Sequence, residues 1–105
     1  MECQVSWLGN GSMAFSAETG SGHLVKMDGP PEAGGQNSAP RPMELILAGT
    51  GGCSAFDVVL ILQRAKQAIS ACDIKLTAER AELDPKVFTR INLHFTVRGQ
   101  RLRSS

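Results

Sequence analysis

A chain of 105 residues with 42% hydrophobic and 20% charged content and a net charge of +1 reads as one domain, 1–105, able to bury a core of its own. So even a balance lacks the clustered basic surface that a nucleic-acid groove needs, and one Trp with no Tyr removes the usual base-stacking platforms. Three cysteines at 3, 53 and 72 form no CxxC pair and have no His at metal spacing, so neither a zinc site nor any other metal or cofactor is expected.

In chain order, residues 2–8 alternate Cys3, Val5 and Trp7 against Glu2, Gln4 and Ser6. The turn Gly9-Asn10-Gly11-Ser12 follows, then Met13, Phe15 and Ala17 alternate again, which predicts a hairpin. Gly20-Ser21-Gly22 predicts the next turn and residues 23–27 a third strand. Polar and interrupted by Glu2, Gln4 and Ser6, the N-terminus carries no secretory signal pattern, and free thiols without one predict a cytoplasmic protein. Residues 28–41 are rich in Gly, Pro, Ala, Asn and Ser and read as a mobile loop.

Pro42 suits a first helical position and Glu44 a first turn, where negative charge is favoured. The helix is expected to run from Pro42 to about Ser70. Over 45–62 apolar residues fall on every face, which marks a helix buried all round. Those 18 residues hold a single charge, Asp57, and have the length of a membrane span, but Gly49, Gly51, Gly52, Thr50 and Ser54 lower the hydrophobicity and favour a non-membrane reading. Two glycines inside a helix cost about 1 kcal/mol each relative to alanine, which close packing would offset. Beyond the helix, Ile74, Leu76 and Ala78 alternate with polar residues, and after Asp84-Pro85-Lys86 so do Ile91, Leu93, Phe95 and Val97. The expected fold is α+β, an antiparallel sheet with one long helix across it in the order βββ-α-ββ. One face of one sheet cannot cover a helix apolar all round, so a partner subunit or a further segment is implied. The polar stretch 99–105 shows no periodicity.

Cys53 is the residue with chemical promise. It follows Ala48-Gly49-Thr50-Gly51-Gly52 and precedes Ser54-Ala55, small residues that leave room for a ligand or a second chain to approach the sulfur. Packing as a small apolar residue is the plain alternative. Asp57 lies one helical turn on and shares a face with Cys53, where its charge would disfavour a thiolate, so it reads as a hydrogen-bonding group. His23, the histidine nearest the loop, could supply a proton or positive charge and line a pocket, while a hydrogen-bonded structural histidine is the plainer reading. Arg41 is the nearest cation ahead of the helix, and Glu44 is most simply a helix-start charge. Cys3 reads as packing, His94 as solvated, and Cys72 as packing or a makeshift resolving thiol.

Ser21-Gly22-His23, Met27-Asp28-Gly29, Arg41-Pro42-Met43-Glu44-Leu45 and Gly51-Gly52-Cys53-Ser54-Ala55-Phe56-Asp57 stand in one order. With Ala78-Glu79-Arg80-Ala81-Glu82 and residues 84–91, they resemble the OsmC/Ohr family, and within it the YhfA-like subgroup, over nearly the whole chain. The resemblance implies an OsmC-like fold built as an intertwined homodimer. It also implies a reactive cysteine at the position of Cys53 and thiol-dependent reduction of organic hydroperoxides in the oxidative stress response. An external thiol would be the reductant, and neither nucleic acid nor membrane would be a partner. The family's activating arginine, its glutamate in a Pro-Glu step and its downstream resolving cysteine have no match here: residues 1–40 hold no Arg and Pro42 is followed by Met43. The chain is therefore expected to lack the C-terminal helix and strand of the family. Two alternatives stand beside catalysis: a non-catalytic homodimer binding a small apolar molecule, and an inactive fragment. The candidate residues are Cys53 as nucleophile, with His23, Arg41, Glu44 and Asp57 in binding roles.

Overall fold

The computed structural model describes residues 1–81 and 87–100, the side chain of Gln100 apart. The expected Asp84-Pro85-Lys86 turn and the tail beyond Gln100 lie outside the described residues. Two compact units divide the chain, Met1–Ile46 and Leu47–Ser105.

In the first unit β1 (Cys3–Trp7), β2 (Phe15–Thr19) and β3 (Leu24–Met27) form an antiparallel sheet in sequence order. The register pairs Val5 with Ala17 and Ala17 with Val25, so like faces align across all of it. Left-handed Gly9, Asn10 and Gly11 (φ 74, 56 and 68°) reverse the chain between β1 and β2. Ser12 closes that turn, its amide and its hydroxyl both donating to the Gly9 carbonyl at 3.1 and 2.7 Å. Between β2 and β3, Gly22 (φ 87°) lets its own amide reach the Thr19 carbonyl at 2.9 Å.

The loop after β3 contains a short 3-10 turn, Pro31–Ala33, and is organised around Asp28, which is 3% exposed. Composition gave no sign of this: a buried carboxylate sits inside a segment read only as mobile.

Helix α1 (Pro42–Arg64) begins as expected, with Pro42 at its first position. Its end comes sooner than the predicted Ser70. Lys66 adopts φ 58°, and amides 66 and 67 turn back to the carbonyls of Gln63 and Leu62 at 2.9 Å each, a Schellman closure without glycine.

In the second unit β4 (Ala68–Arg80) and β5 (Phe88–Gln100) pair antiparallel over their full length. Residues 68–70, expected in the helix, and 99–100, expected in an aperiodic tail, thus extend this hairpin. At its open end Ile69 faces Gly99 and Ala71 faces Arg98, leaving Ser70 as a bulge. A Cβ on Gly99 would fall on the Ala68 carbonyl, so that position admits only glycine. The order βββ-α-ββ holds, with the strands divided between two hydrogen-bonded sheets.

The helix is not buried all round. Within α1 only Gly51 is buried, where a Cβ would come within 2.6 Å of Leu76 on β4. Among the described residues no hydrophobic side chain is fully buried, and Ile46, Phe56 and Ile61 expose 54, 69 and 63% of their surface. Sequence periodicity measures how apolar a face is, while burial needs an element to cover it, and the described residues bury α1 only at Gly51. By length and composition alone α1 is also long and apolar enough to cross a bilayer.

Candidate functional site

The helix delivers Cys53 midway along α1, and the thiol is exposed. Gly49 and Gly52 beside it face open space, with nothing within 4 Å of where a Cβ would stand. Exposed Phe56, three residues on, adds an apolar neighbour at helical spacing. Asp57 is exposed one turn from Cys53, as its spacing requires. Ser54 is spent internally, its hydroxyl donating to the Thr50 carbonyl at 2.9 Å.

Beside this face runs an apolar groove of about 340 Å³ lined by Gly52, Ala55, Phe56, Val59, Leu60 and Gln63, with half-buried Cys72 from β4. Cys72 stands on the same face of β4 as Ile74 and Leu76, and Leu76 meets Gly51. Sequence reading set Cys72 aside; the signal for it was the helical stripe 52, 55–56, 59–60 and 63, which a strand of period two could cover.

The other candidates belong to the first unit. Glu44 reaches back to the Arg41 amide, which donates to its carboxylate at 2.9 Å. With the Leu45 amide donating to the Arg41 carbonyl at 3.2 Å, this is half of a capping box: Arg41 is the N-cap and Glu44 the third helical residue. His23 sits in the β2–β3 turn, exposed, its Nδ1 3.0 Å from the Ser21 hydroxyl, which is itself 2.9 Å from that of Thr19. The same Thr19 oxygen accepts from the His23 amide at 3.0 Å, so the ring is held within its own hairpin.

Cys3, expected to pack, is exposed and lines an open hollow with Glu2, Gln4, Glu18, Thr19 and Gly20. β1 is exposed along its length, so alternation there marks two open faces. His94 is exposed on β5, as expected. Among the described residues no three of His, Cys, Asp and Glu gather closely enough to hold a metal ion.

Two antiparallel sheets with one long helix carrying Gly-Gly-Cys at its middle define an OsmC-like protein. The family model described as OsmC-like protein matches residues 35–103, and the chain belongs to that family. Within it the chain is 45% identical over all of its 105 residues to Protein YhfA of Escherichia coli strain K12, spanning 74% of that protein. A solved structure described only as structural genomics superposes with a TM-score of 0.83 at 44% identity, covering 98% of this chain and 72% of the other. An OsmC-like protein of unknown function from Vibrio cholerae shares the fold with a TM-score of 0.75 at 12% identity, over 98% of this chain and 78% of its own.

Proposed function

We propose that this OsmC-family chain acts as a thiol-dependent peroxidase on organic hydroperoxides, with Cys53 as the attacking thiol. The observation that carries the reading is an exposed sulfur on an apolar helix face, flanked by glycines that leave its approach open. An alkyl hydroperoxide suits such a face, because its carbon chain would replace water on Phe56 and the apolar groove. In the reaction the Cys53 thiolate attacks one peroxide oxygen, the S–O bond forms as the O–O bond breaks, and the alkoxide leaves with a proton as the alcohol. Sulfur is oxidised by two electrons to the sulfenic acid and the hydroperoxide is reduced. An external thiol then condenses with the sulfenic acid, releasing water, and a second thiol restores Cys53.

The rest of the reading is an assembly. A second copy of the chain would cover the exposed apolar side of α1 and bring more groups to the thiol. Arg41 and Glu44 are the charged groups this chain could offer to a shared site, although Glu44 already caps the helix. We place the protein in the cytoplasm, in keeping with its free thiols.

The test is sulfenic-acid trapping with mass mapping after cumene hydroperoxide treatment. Label at Cys53, absent in Cys53→Ser together with hydroperoxide consumption, is the expected result. Cys53 remaining reduced while Cys3 oxidises would sink the proposal. The groove favours a second reading, a non-catalytic dimer holding a small apolar molecule against Cys72. It predicts thermal stabilisation by such a molecule that persists in Cys53→Ala.

A further inference from the structure

Donors from three places in the chain meet at one carboxylate in the β3–α1 loop. The Gly29 amide donates to Oδ1 of Asp28 at 2.7 Å. The Gln36 amide, the Ser38 amide and the Ser38 hydroxyl donate to Oδ2 at 3.3, 3.1 and 2.6 Å. The backbone that aims them has its own supports. Gly34 and Asn37 are left-handed, at φ 88 and 53°. Gly35 donates to the Pro30 carbonyl at 3.0 Å and Asn37 to the Gly29 carbonyl at 3.2 Å. Gly35 also lies so close to Gly29 that a Cβ would fall on its carbonyl, and a Cβ on Gly34 would stand 3.4 Å from Met13 Cγ of the preceding hairpin. The loop is therefore a cup of inward-pointing donors with the shape of an anion nest. Its ends are tied by the Asp28 amide on the Pro40 carbonyl at 3.0 Å, next to the N-cap of α1.

We propose that this cup is a carboxylate-binding site that the chain occupies with its own Asp28, and that a small free carboxylate takes it when that side chain is removed. Most of the donors are backbone amides, so recognition belongs to the loop and survives substitution of Asp28. Occupancy by an internal anion latches the loop shut ahead of α1, independently of what Cys53 does.

The experiment uses the full chain in two variants that leave holes of different length. Asp28→Gly removes the side chain entirely and fits acetate, whose methyl takes the place of the lost Cβ. Asp28→Ala keeps the Cβ and fits formate. Each matched anion is expected to raise the variant's thermal midpoint by about 4 °C or more over chloride at equal ionic strength, in a saturable manner. It should also shift the amide resonances of Gly29, Gln36 and Ser38, while wild type responds to neither anion. Midpoints that rise no further than those of wild type, or resonance changes elsewhere only, overturn the proposal. Should neither variant fold, wild type still decides. Its Gln36 and Ser38 amides are expected to exchange at least about tenfold more slowly than unstructured peptide and to speed up in Ser38→Ala; peptide-like exchange in wild type overturns the latch.

Discussion

Protonating Asp28 removes the charge that its neighbours are arranged to meet. The Ser38 hydroxyl, then the Gly29 and Ser38 amides, lower its pKa from 3.8 to about 2, against an opposing effect of burial. A value below the unfolded one means that the folded chain binds this proton less readily, so the contribution is complete above pH ~3.8 and lost as pH falls through ~2. Loop resonances followed by NMR should therefore change between about pH 4 and 2, and Asp28→Asn should flatten that profile; an unchanged profile would remove Asp28 as its source. Cys53 could be named from its glycine neighbours, since residue type and spacing are properties of sequence. The donors of Asp28 could not, because Gln36 and Ser38 reach it only once Gly34 and Asn37 have turned the chain.

Lys66 closes α1 from a left-handed conformation that glycine adopts without steric cost. Lys66→Gly should accordingly stabilise the chain by about 1 kcal/mol in urea unfolding; a loss of that size would count against the Schellman assignment. Gly99→Val should act in the opposite sense, by about 2 kcal/mol or more, because its Cβ meets backbone and not a mobile side chain. This pair explains why the helix was expected to run too far. With no glycine or proline between Arg64 and Ala71, the sequence offered no stop, and the hairpin that claims Ala68 and Ile69 depends on partners some thirty residues later. Starts were easier, since Pro42 and Glu44 act within one turn.

For the whole molecule the governing fact is the apolar side of α1 that no described element covers. Exposed apolar side chains such as Ile46, Phe56 and Ile61 are the kind of surface that ends in an interface or a bilayer. With a second copy as the proposed cover, light scattering should give twice the chain mass without detergent. Phe56→Asp should shift that equilibrium toward monomer by about tenfold or more, since it puts a charge where an aromatic side chain was to be buried. A monodisperse monomer in buffer, or partition of the chain into detergent, would refute the dimer. Gly52→Ala separates cover from no cover more gently: in open space it should add up to about 1 kcal/mol of helix stability, and under a closely packed partner helix it should cost stability instead.

By itself the sequence determined the order of elements, the start of the helix, the family and the position of its reactive-cysteine candidate. All of these rest on periodicity, on turn residues and on motifs a few residues long, where cause and effect lie within one or two turns of chain. Tertiary structure decided the end of α1, the bulge at Ser70, the groove that Cys72 completes and the burial of Asp28. Each of these depends on groups more than two helical turns apart in sequence meeting in space, and the chain's local preferences do not encode which partner will be there.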